Sequence, residues 1–176
     1  GLATRYGGEP VGPGPLAIDG ALVGADDVRD FVRLTIREGC IGETVAALEA
    51  GEAEATAADP TVKSVLAEIA HDERAHAELA WRAVQWAVTA FGDVARGAIG
   101  GELASVEDEL RGAAALEERV VAPALVRHGL QSETTRARLR RATLRQVVPP
   151  GLRALLPTSG IDRRAVAPTL AAAGVT

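Results

Sequence analysis

The chain contains no methionine and a single cysteine, and its aromatic side chains are limited to Tyr6, Phe31, Trp81, Trp86 and Phe91. Without methionine, Gly1 is not a simple initiator-derived start, and we expect the chain to be the C-terminal portion of a longer protein. The lone Cys40 excludes an internal disulfide and a cysteine-based zinc site. It reads as a small core hydrophobe. No apolar run approaches the ~20 residues of a membrane span, and the N-terminus lacks the charged-then-apolar pattern of a signal peptide. No membrane partner and a cytoplasmic location are therefore the expectations. The net charge of −5 argues against nucleic acid. The arginines of 131–153 have no interleaved aromatic residue on which a base could stack, so they read as a solvated outer face. No Ser-His-Asp arrangement or other nucleophile is evident.

What is abundant is alanine, within a composition that is 47% hydrophobic and 24% charged over 176 residues. That is a soluble globular composition, long enough to bury a core. Alanine with few β-branched runs favours helices, so the expected fold class is all-α. Residues 1–25, with Gly7-Gly8-Glu9-Pro10 and Val11-Gly12-Pro13-Gly14-Pro15, read as a linker or crossover. A connection is the better reading than a phosphate loop, because no strand precedes the glycines and no lysine follows them.

Residues 26–92 read as two helices. Asp26-Asp27 caps the first, which runs to about Ala50 with a stripe Phe31, Leu34, Glu38, Ile41, Val45, Leu48. Glu43 belongs to a neighbouring face with Ile36, Cys40 and Ala47. Gly39 and Gly42 lower helix stability there and let another helix or a cofactor come close. Asp59-Pro60 is a cap followed by a proline at the first helical position, and Gly92 is a stop. The second helix is thus roughly 32 residues, or ~48 Å. Its stripe is Val62, Leu66, Ile69, Glu73, His76, Ala80, Ala83, Ala87, apolar except for Glu73 and His76. A helical accessory region is expected over 100–176. Within it one stretch runs from Gly101 to about Val126 behind a solvated acidic face, and another from Ser132 to Val148 is stopped by Pro149-Pro150. The tail after Pro157 is a short final helix or frayed.

A buried carboxylate needs a partner, a proton or a metal. Helices joined by a short turn pack antiparallel, and for a turn centred near residue 55, Glu38 lies as far before it as Asp72 lies after it. The expected ligand set is therefore Glu38, Glu73 and His76, with Glu43 as the alternative carboxylate and Asp72 and Glu78 orienting the ligands from outside. Oxygen donors with one imidazole suit iron or manganese. The competing reading is an ion-pair-rich helix surface with His76 satisfied in the core. His71 lies off the stripe and is expected to be exposed.

The stretch Arg37-Glu38-Gly39-Cys40-Ile41-Gly42-Glu43-Thr44, followed by Ile69-Ala70-His71-Asp72-Glu73-Arg74-Ala75-His76-Ala77-Glu78-Leu79-Ala80-Trp81, resembles the second half of a ferritin-like protein. It is similar to uncharacterised bacterial ferritin-like proteins rich in Ala and Arg, over about residues 2–90. The resemblance implies an antiparallel ferritin-like helix bundle with a carboxylate-bridged di-iron site, and an oxygen- or peroxide-handling oxidoreductase. Iron sequestration and a non-catalytic helical interaction domain are the alternatives. A complete site in such bundles takes a Glu and a Glu-x-x-His from each of two helix pairs. This chain carries one, so it is expected to hold half a site. A preceding N-terminal helix pair or a homodimer partner would complete it.

Overall fold

The computed structural model describes residues 2–9, 12, 14–15, 27–112 and 121–156. The described residues form helices and connections without a strand. The linker range 1–25 contains a short helix, α1 (Leu2–Gly7), where only loop was expected. Its Arg5 pairs with Asp59 at 2.8 Å, and its Tyr6 hydroxyl meets His128 Nδ1 at 3.0 Å.

Asp27 caps α2 (Val28–Leu34), its carboxylate accepting from the Arg29 and Asp30 amides. The rod continues as a nine-residue π-helical segment, Thr35–Glu43, and then as α3 (Thr44–Thr56). A π-helix bonds i to i+5, which widens the turn, and is rare outside single-turn bulges. Gly39 and Gly42 weaken the α-helical preference that would oppose it. Gly39 also serves the packing, because a Cβ there would overlap the Ala80 Cβ on the facing helix.

That facing helix is α4 (Pro60–Phe91), the expected range, with Asp59 accepting from the Thr61 amide at 2.8 Å. It ends at Gly92, whose φ of 55° is ill suited to other residues. The next helix, α5 (Asp93–Gly112), follows at once and begins ahead of the expected Gly101. A short α6 (Pro123–Val126) leads to α7 (Glu133–Gln146), capped by Ser132. Pro149-Pro150 then opens α8 (Val148–Leu155) instead of closing the structured region, since prolines fit the first helical turn.

The core corrects the expected stripes. In the first rod Val32, Ile36, Cys40, Ile41 and Val45 are buried, while Phe31, Leu34, Glu38 and Leu48 are exposed. Two apolar faces compete in this rod, and the one holding Ile36, Cys40 and Ala47 turns inward. The i+5 register of the π segment carries Glu38 away from the position that a uniform 3.6-residue period assigns to it. On α4 the buried face is Val62, Ala70, Ala77, Ala80, Val84 and Ala87, so Ile69 and His76 lie beside it, not on it.

Helices α5, α7 and α8 complete the core with Ala95, Ile99, Val106, Leu144, Val148 and Leu152. The acids of α5 are not merely a solvated face. Glu102 is buried and bound by Arg37, Glu109 binds Arg140, and Glu107 binds Arg153. The Arg-rich α7 is also fastened to α3 through Arg136–Glu49 at 3.0 Å and Arg138–Glu52 at 3.3 Å. Exposed pairs of this kind each add little stability, but together they orient α7.

Two of the helical glycines, Gly39 and Gly97, make a contrast that denaturant unfolding can read. Gly39→Val, forced against Ala80, should lose about 1–3 kcal/mol. Gly97→Ala, at an exposed position of α5 with open space around its Cβ, should gain about 0.5–1 kcal/mol. Equal behaviour of the two variants would contradict the close approach at Gly39.

Candidate metal centre

The antiparallel packing of the π segment on α4 gathers Glu43, Glu73 and His76. One donor atom from each lies within 4.8 Å of the other two. Glu43 and Glu73 are half-buried, and His76 is exposed. The Glu-x-x-His spacing acts as expected on one turn of α4, where residues three apart are neighbours. His76 Nδ1 sits 3.1 Å from Glu73 Oε2.

The third member is Glu43, not Glu38. Glu38 is exposed and outside the group, although its charge still reaches Glu43. Two physical reasons shift the partner. The connection between α3 and α4 is Ala57–Asp59, so the hairpin folds about Ala58, and Glu43 lies as far before that residue as Glu73 lies after it. The π turn then places Glu43, at the end of the segment, toward α4. The glycine pair at 39 and 42 is the sequence signal that bore on this. Asp72 is exposed and acts on His76 only through its charge; Glu78 pairs with Arg82 and His71 is exposed.

The three groups share protons. Glu43 is pushed above the usual carboxylate range, first by donating a hydrogen bond to Glu73, then by burial and by the Glu73 charge. Glu73 is held below that range because Glu43 and His76 both hydrogen-bond to it. Its charge and hydrogen bond raise His76 above its ordinary value of 6.5. Two acceptors and an imidazole gathered in this way can hold a proton or a cation, with Glu73 common to both neighbours.

An open groove runs from the cluster along the same face. Thr35, Gly39, Leu79, Ala80 and Ala83 line it, with Glu43 and His76 at one end and Phe31 at the other. At the Phe31 end, Trp86 packs edge-on against both Phe31 and Phe91, at centroid distances of 6.1 and 5.5 Å.

No family model matches the chain, and neither a curated protein nor a solved structure does. No described helix is long and apolar enough to cross a membrane.

Titration of the metal-free protein followed by the His76 ring resonances tests the shared proton. The His76 pKa should lie above 6.5 and fall toward it in Glu73→Gln. Because His76 is raised in the folded state, its contribution to stability is present below its unfolded pKa and is lost as pH rises through the folded value. For Glu73 the sign reverses, with stability present above the unfolded pKa and lost as pH falls through the folded one. A His76 pKa unmoved by Glu73→Gln would remove Glu73 as the cause.

Proposed function

We propose that the chain is a ferritin-like carboxylate protein that holds iron or manganese at Glu43, Glu73 and His76, and that it serves oxygen or peroxide chemistry. The observation that carries this reading is the convergence of two carboxylates and one imidazole, from two antiparallel helices, within 4.8 Å. The donor set fits the metals. Hard oxygen ligands with one imidazole suit iron and manganese, whereas thiol-seeking ions would find only the buried Cys40, whose pKa burial pushes up to about 12.

Glu43 and Glu73 supply anionic oxygens to balance a dication, and His76 supplies a neutral nitrogen. In the cluster without metal, Glu73 also holds the His76 ring through its hydrogen bond. A bound iron or manganese would supply the electron transfer that these side chains cannot. Three donors suit a single ion. A two-metal centre requires further carboxylates from another helix pair. The groove beside the cluster leaves a path for a small oxidant to arrive from solvent.

Metal content after anaerobic loading with Fe(II), or loading with Mn(II), tests this reading. Glu43→Gln, Glu73→Gln and His76→Ala should each weaken binding by at least about tenfold, the scale on which even outer partners of a ligand act. Glu38→Gln should retain most of it. Full metal content in the Glu73→Gln and His76→Ala proteins would sink the proposal, and loss in Glu38→Gln alone would return the role to Glu38.

A further inference from the structure

A π segment of nine residues needs something to hold it, because π turns rarely persist beyond a single bulge. The rod is α-helical on both sides of the segment, in α2 and in α3. Local side-chain bonds do not supply the hold. The Thr35 and Thr44 hydroxyls donate to the Phe31 and Cys40 carbonyls at 2.7 Å, each four residues back. That is α-helical spacing, so neither bond favours the wider turns between them.

The long-range polar anchor of the segment is Arg37. Its guanidinium donates to the Glu102 carboxylate and to Ser105 Oγ, and lies 3.6 Å from Glu109. These three residues belong to α5 and follow one another at helical spacing along one face. Glu109 is tied in turn to Arg140 of α7 at 2.9 Å. The Glu102 side chain is only 10% exposed, so Arg37 cannot turn about the axis of its rod without leaving a buried carboxylate unpaired. Removing one partner of a buried ion pair costs far more than the pair contributes net, and the best-attested use of such pairs is to fix a register.

Glu43 comes later in the same segment, and its direction relative to Arg37 depends on the number of residues in a turn. About 3.6 residues per turn gives one direction, and the wider turns of i to i+5 bonding give another. With Arg37 fixed on α5 and Gly39 against Ala80, the wider turns bring Glu43 to Glu73 and His76. We infer that the Arg37–Glu102 pair holds the π register of Thr35–Glu43 and through it positions Glu43 in the metal site. Among the described residues, no hydrogen bond or ion pair joins Arg37 to Glu43, Glu73 or His76, so Arg37 is a positioning residue that acts through the backbone. Its consequence for metal rests on the metal reading above; its hold on the register does not.

Amide-to-carbonyl couplings through hydrogen bonds, measured by nuclear magnetic resonance on the metal-free chain, read the register, and equilibrium Mn(II) binding reads the site. In the wild type the Gly42 amide should couple to the Arg37 carbonyl, five residues back. The double variant Arg37→Ala/Glu102→Ala removes the clamp without stranding a charge. Its Gly42 amide should couple instead to Glu38, four residues back, and it should bind Mn(II) at least about tenfold more weakly. Arg153→Ala/Glu107→Ala removes a pair between α8 and α5 and should leave both readings as in the wild type. Each double variant keeps the net charge, so a difference between them is not an effect of total charge. Arg37→Gln, a milder change, should move both readings in the same direction and serves if the alanine pair does not fold. Five-residue bonding retained in a folded Arg37 variant would overturn the clamp. Altered bonding with Mn(II) held at wild-type strength, or equal weakening by the Arg153 variant, would overturn the positioning role. No Mn(II) bound by the wild type would overturn the metal reading and that role with it, while the couplings, taken without metal, keep this failure distinct from failure of the clamp.

Discussion

Gly39 lies so close to Ala80 that a side chain on the glycine would have no room, and the placement of Glu43 follows from that approach. The π segment can come this near to α4 because both residues at the crossing are small. Its widened turns then carry Glu43 to the level of Glu73 and His76. A longer side chain at 39 would lever the two helices apart and separate donors that now lie within 4.8 Å. The alanines at 47, 50, 53 and 57 on one side and at 70, 77 and 80 on the other continue the close packing along the hairpin. Much of the scaffold's precision therefore comes from small residues. Dispersion attraction between closely approaching backbones takes the place of large interlocking side chains.

The position of the cluster at the margin of this core decides its chemistry. Deeper burial would force the carboxyls to neutralise, and full exposure would leave them hydrated and independent. At half-burial they share protons through Glu73, which both Glu43 and His76 address. The buried Glu102 of α5 is bound by Arg37 of the π segment itself. One short stretch thus contributes both to a buried ion pair and to the cluster.

Part of this was legible in the sequence. Alanine content indicated an all-helical chain, and Asp59-Pro60 with Gly92 marked the bounds of α4 because caps and stops are local chemistry. Glu73 and His76 paired by their three-residue spacing, which any α-helix enforces. Glu38 was misplaced because its position depended on two things that local pattern does not fix. The hairpin centre moves from near residue 55 to Ala58, and a π segment replaces the 3.6-residue period. The same loss of phase broke the expected stripe of the first rod, exposing Phe31, Leu34 and Leu48 while Ile36 and Cys40 join Ile41 and Val45 in the core. Glu102 read as a surface acid because its partner, Arg37, is distant in sequence and is brought to it only by the tertiary fold.

Anomalous X-ray diffraction from crystals of the protein grown with Mn(II) or Fe(II) addresses the central claim most directly. The account predicts a strong anomalous peak bounded by the Glu43 and Glu73 carboxylates and the His76 ring, with Glu38 outside its coordination. A fully loaded crystal with no peak there, or with its peak at another group of side chains, would contradict it.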